Sequence, residues 1–87
     1  MTILDADLEA AAEEELSHAA AIGWRELSRI MPWGDTYEGF TPGGRAVCFE
    51  RAYVWAEREG GDILCEVTAY EPERFEQGAK RTRLIRA

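Results

Sequence analysis

The 87 residues predict an α+β fold, a long N-terminal helix packed on a small antiparallel sheet of about three to four strands. Two observations point there. Apolar residues recur every three or four positions from Leu4 to Ile30, the helical period. Two runs rich in β-branched and aromatic residues, 45–58 and 63–71, flank the turn-forming "EGGD". With 46% apolar residues there is enough for one core, and residues 1–87 read as a single small domain. A chain this short buries only roughly 60–65% of its unfolded surface, so covering a further face with a partner or a second copy adds stability.

The helix begins near Thr2, where Thr2 and Asp5 fit a capping box and early acids suit the positive end of the helix dipole. Leu4, Leu8, Ala12, Leu16, Ala20, Gly23, Leu27 and Ile30 form its stripe. That stripe drifts around the axis, and one straight helix would span about 40 Å. Curvature, or a break near Ser17–His18 or at Gly23, is therefore expected, and Pro32 ends the helix at Met31. In "MPWGDTYEGFTPGG", residues 31–44, "PWGD" and "TPGG" read as turns, with "TYEGF" a short strand or ordered crossover between them. The glycines lack the spacing and the lysine of a phosphate cradle. The segment reads as a helix-to-sheet connection whose aromatics plug the core, or alternatively as a partner-binding loop.

A two-residue turn at Gly60-Gly61 makes opposing positions of the hairpin sum to 121. One face then carries Cys48, Ala52, Val54, Ala56, Ile63, Cys65, Val67 and Ala69, small and apolar, and is the expected core. The other carries Val47, Phe49, Arg51, Tyr53, Trp55, Leu64, Glu66, Thr68 and Tyr70, a bulky aromatic surface interrupted by charge. "PERFEQG" fits one helical turn, and "AKRTRLIRA" a third hairpin strand or a frayed basic end.

No constellation announces catalysis. His18, the single histidine, is adjacent to Ser17 and so points about 100° away from it on a helix, which is not the arrangement of a nucleophile and its base. Two cysteines and one histidine fall short of a zinc site. Cys48 and Cys65 lie far apart along the ladder, so they read as free thiols in a reducing cytoplasm. No apolar run reaches about 18 residues, and the acidic N-terminus argues against a secretory leader. The expectation is a cytoplasmic protein with no enzymatic activity, no cofactor, no metal and no membrane contact.

Charge says more. Seventeen acids against ten bases give a net charge of −7. Asp5, Asp7, Glu9, Glu13, Glu14 and Glu15 fall in the first sixteen residues without a base, whereas Lys80, Arg81, Arg83 and Arg86 crowd the end without an acid. Such a chain repels nucleic-acid phosphates and attracts basic protein surfaces. In size, acidity and lack of enzyme motifs it resembles the small phage and mobile-element anti-defence proteins of the anti-CRISPR type. That resemblance implies a protein-binding inhibitor whose Asp5, Asp7, Glu9 and Glu13–Glu15 mimic phosphates on a basic partner. The same side chains read equally as a solubilising helix face.

Three functions follow. The first is a non-catalytic inhibitor or adaptor docking the acidic helix and the face of Arg51, Tyr53, Trp55, Glu66 and Tyr70 on a basic protein. The second is a homodimeric assembly module using that aromatic face. The third is a small nucleic-acid-associated subunit using the basic tail.

Overall fold

The computed structural model describes residues 5–74 and 77–87 and shows the expected α+β arrangement. Helix α1 spans Ala6–Ile22 and a short α2 spans Trp24–Ser28. Four strands follow, β1 (Trp33–Phe40), β2 (Ala46–Trp55), β3 (Ile63–Tyr70) and β4 (Ala79–Ile85), in an antiparallel meander of order β1-β2-β3-β4. The shortest extent, 17 Å between Cα atoms, is that of one helix layer on one sheet. Thr2 and Leu4 lie outside the described residues, but Asp5, expected as the third helical residue of a capping box begun by Thr2, is instead extended and precedes the first residue of α1, Ala6. Part of the expected turn over 72–78 also lies outside the described residues.

Asp5 is the N-cap of α1, accepting a hydrogen bond from the Leu8 N–H at 3.1 Å. Leu8, Ala11, Ala12, Leu16 and Ala19 are buried, and the three alanines let the helix settle closely over β3 and β4. The expected break falls at Gly23, whose φ of 88° and ψ of 158° lie in a region open essentially to glycine alone. Beyond it, α2 turns back over β3, where Leu27 is fully buried and the Trp24 indole N–H donates to the Gly61 carbonyl at 2.8 Å.

The opening of residues 31–44 differs from its expected turn. The Met31–Pro32 bond is cis, and "WGD" already belongs to β1, so the strand takes in the whole of Trp33–Phe40. The second turn holds, with the Gly44 N–H bonded to the Thr41 carbonyl at 2.9 Å. The basic tail is strand β4, paired to β3 from Ala69↔Ala79 to Ile63↔Ile85.

The β2–β3 register requires a correction. Opposing residues sum to 118, as in Tyr53↔Cys65 and Trp55↔Ile63, not to 121. Residues 56–62 form a longer loop closed at its neck by the Ala56 N–H on the Asp62 carbonyl. Within it the Gly61 N–H bonds the Arg58 carbonyl, and Gly60 supplies a φ of 84°. A shift of three is odd, so it exchanges the two faces of β2 relative to β3. Val47, Phe49 and Tyr53 therefore join Ile63, Cys65, Val67 and Ala69 in the core. Cys48, Ala52 and Val54, expected inside, point to the opposite face, and Ala56 lies in the exposed loop. The physical reason is area: burying Phe49 and Tyr53 removes far more apolar surface from water than burying Ala52 and Cys48, at about 25 cal/mol per Å².

Helix α1 covers the β3–β4 half of the inner face. On the β1–β2 half, aromatic side chains close the core instead. Trp33 stacks on Tyr53 with ring centroids 4.8 Å apart, and Tyr37 on Phe49 at 5.2 Å. Between them the Arg51 guanidinium lies against the Trp33 and Tyr37 rings and donates two hydrogen bonds to Asp35, at 2.8 and 2.6 Å. Cys48 and Cys65 are free thiols on opposite faces of the sheet.

Candidate functional site

Most of the acidic residues singled out from the sequence face cations or donors of the same chain. Asp5 accepts two hydrogen bonds from Arg45, at 2.9 and 3.0 Å, in addition to its cap bond. The Leu8 N–H first, and Arg45 after it, hold its carboxyl below the usual range. Asp7 accepts from the Thr41 hydroxyl and from the Gly43 N–H. Arg45 also bonds Glu71 near the end of β3, and Asp5 and Glu71 together raise its pKa. Four segments are thereby gathered at one corner: the start of α1, the Thr41–Gly44 turn, Arg45 and the end of β3.

Glu9 pairs with Arg81, and Glu13 with Arg83 at 2.8 Å. Two periodicities explain this match. Residues i and i+4 of a helix are separated by about 6 Å along the axis, and residues i and i+2 of a strand by about 6.6 Å. A helix lying along β4 therefore aligns both acids with both arginines. These pairs are half-exposed, worth about 0.2–1 kcal/mol each. Two acids of the N-terminal run and two arginines of the C-terminal run thus neutralise one another across the layer.

Glu15 is half-buried, 3.8 Å from His18. Burial first, and the Glu15 carboxylate second, push the Tyr37 phenol well above its ordinary range. The Tyr37 hydroxyl itself is buried with no partner in hydrogen-bonding geometry among the described residues. Glu14 is exposed and has no cation within salt-bridge distance among them.

The aromatic face divides. Tyr53 is 1% exposed, a core residue and no contact surface. Arg51 and Trp55 are half-buried on the same inner side. Of its candidate binding residues, Glu66 and Tyr70 alone lie on the outer face. The register shift thus removes Tyr53 from the candidate binding residues and separates Arg51 and Trp55 from Glu66 and Tyr70.

What remains for contact is the outer face of the sheet, over which no described helix packs. Its cross-strand rows are set by the pairing. Val54–Leu64–Leu84 is apolar. Next comes Gly34–Ala52–Glu66–Thr82, then Thr36–Glu50–Thr68–Lys80, then Glu38–Cys48–Tyr70, and at the far end Phe40 opposite Ala46. Phe40 is 72% exposed, Leu84 45% and Val54 37%. A shallow depression of about 410 Å³ opens over Gly34 and Ala52. Lys80 lies 3.6 Å from Glu66, and Tyr70 donates to Glu50 at 3.4 Å. Burial first, and Glu50 after it, raise the Tyr70 phenol above its usual value.

Sequence reasoning missed Phe40, Val54, Leu84 and Glu50 as contact residues, though it placed Leu64 on the same face as Glu66 and Tyr70. For Val54 and Glu50 the missing signal was the length of the 56–62 loop, which decides the face on which β2 presents its side chains. Among the described residues no three metal-capable side chains converge, and no helix is long and apolar enough to cross a membrane. Comparison with family models, with curated proteins and with solved structures gives no match.

Proposed function

We propose that this chain is a non-catalytic protein-binding module that docks the outer face of its sheet on the basic surface of another protein. The observation that carries the reading is the face itself, where Phe40, Val54 and Leu84 stand exposed beside Glu38, Glu50 and Glu66. Apolar anchors bordered by charge suit a protein contact. Three carboxylates against one lysine select a cationic counterpart. Two copies stacked on this face would bring like carboxylates together, which disfavours the homodimeric reading. The basic tail is a weaker candidate for nucleic-acid contact, because Arg81 and Arg83 are engaged by Glu9 and Glu13.

The resemblance to anti-CRISPR-type inhibitors implies a partner whose basic surface otherwise holds nucleic acid. The helix acids contribute little to such mimicry when Asp5, Asp7, Glu9 and Glu13 are satisfied internally. Glu14 on the helix and Glu38 and Glu50 on the outer face, which have no cation within salt-bridge distance among the described residues, are the candidates to supply it.

The test uses the immobilised protein in host extract at low and high salt, beside a Val54→Asp/Leu84→Asp variant and a Glu14→Lys variant. A partner held by the wild type and by Glu14→Lys, but lost with the sheet variant, supports the outer face. Retention by the sheet variant refutes it, and loss with Glu14→Lys alone moves the contact to the helix. Displacement of that partner by duplex oligonucleotide tests the nucleic-acid-mimic version. A dimer mass by light scattering would favour the assembly module instead.

A further inference from the structure

Resting on the docking reading above, we infer that the depression over Gly34 and Ala52 receives one arginine side chain of the partner, gripped by Glu50. Its floor is two strands wide and carries no side-chain bulk. Gly34 sits opposite Ala52, and a Cβ added at Gly34 would lie 3.0 Å from the Arg51 carbonyl oxygen, so the floor is built close to backbone. Adjoining it, the row Thr36–Glu50–Thr68 runs across three strands and sets a hydroxyl on each side of a carboxylate.

The two carboxylates at the depression differ in their surroundings. Glu66 is 3.6 Å from the Lys80 ammonium, whereas no cation pairs with Glu50 among the described residues, and its one bond, from the Tyr70 hydroxyl, is 3.4 Å long. Glu50 is therefore the uncompensated charge. A guanidinium offers five N–H donors in a planar fork, enough to bond a carboxylate twice and still reach the flanking Thr36 and Thr68 oxygens. An ammonium offers three donors on a point charge and cannot bond the carboxylate in that parallel fashion. A calcium ion is a poor fit, because it requires six to eight oxygen ligands. The apolar row Val54–Leu64–Leu84, next to the floor, lies where the partner segment bearing the arginine would rest its own apolar side chains.

The probe is N-acetyl-arginine N-methylamide, titrated into the ¹⁵N-labelled protein and followed by amide chemical shifts, with the lysine and norleucine analogues as controls. Saturable shifts clustered at Gly34, Glu50, Ala52 and Thr68 are expected with the arginine probe, smaller ones with lysine, and none with norleucine. Glu50→Gln should weaken the arginine response roughly tenfold. Ala52→Leu, which fills the floor, should abolish it with the near-UV circular dichroism unchanged. Non-saturable shifts, equal shifts for arginine and norleucine, or an unaltered response in Glu50→Gln overturn the inference. Because the titration uses no partner, its failure leaves the docking reading to the capture experiment. Saturable arginine binding alongside a failed capture would overturn the docking reading alone.

Discussion

Phe49 and Val54 lie five residues apart on one strand and face opposite ways, so truncating each to alanine separates the observed register from its alternative. Phe49 is 2% exposed and stacked on Tyr37. Its replacement by alanine is expected to cost about 3–5 kcal/mol, through lost transfer energy and a residual cavity. Val54 is 37% exposed on the outer face. Val54→Ala removes two methyl-sized groups worth about 0.8 kcal/mol each when fully buried, so under about 1 kcal/mol is expected here. A domain of this length holds about 4–13 kcal/mol in all, and Phe49→Ala risks unfolding it. Phe49→Leu, at about 1–2 kcal/mol, keeps the comparison measurable. In urea, with m about 1 kcal/mol per M, Phe49→Leu should lower the midpoint by about 1–2 M and Val54→Ala by less than 1 M, both at constant m. If Val54→Ala moved the midpoint further than Phe49→Leu, the pairing that sums to 118 would be wrong, and the outer-face docking surface would fall with it.

Three further outcomes are expected. Gly23→Ala should cost about 1–3 kcal/mol by thermal or urea unfolding, although a Cβ there meets nothing within 4 Å; an unchanged midpoint would mean the α1–α2 break does not need that backbone conformation. Asp5→Asn keeps a competent N-cap but loses the charge facing Arg45. Since the folded carboxyl is depressed, the wild type gains stability above the unfolded value of about 4 and loses it as pH falls through the folded one. The gap between wild type and Asp5→Asn in pH-dependent denaturation should therefore close in acid, and a pH-independent gap would contradict the assigned contact. Tyr37→Phe removes a buried hydroxyl that lacks a bonding partner among the described residues, so stability should hold or rise by up to about 1 kcal/mol. A loss of more than that would reveal a bond to Glu15.

Local chemistry written into the chain was legible without the fold. The period-3.6 apolar stripe marked α1, Gly23 was one of two places at which a break was expected, and β-branched and aromatic runs marked β2 and β3. The four-residue turn at Thr41–Gly44 was likewise local, whereas the basic tail read as a strand or a frayed end, and its pairing with β3 decides for the strand. The candidate site was legible only in part. Glu66 and Tyr70 lie on the open face, whereas Tyr53 went to the core.

Two things were decided only when the layers met. "EREGGD" offers more than one turn centre, and the choice rests on which face of β2 buries more surface, the one carrying Phe49 and Tyr53 being closed by Tyr37 and Trp33 of β1. An odd shift there changes the side of every β2 side chain. The destination of the acids was equally hidden, because Glu9 and Glu13 find Arg81 and Arg83 some seventy residues away only when α1 lies along β4. Sequence determined how much charge the chain carries and which segments curl or extend. Tertiary packing decided which charges cancel and which side of the sheet is left to meet another molecule, since both depend on distances that no local pattern contains.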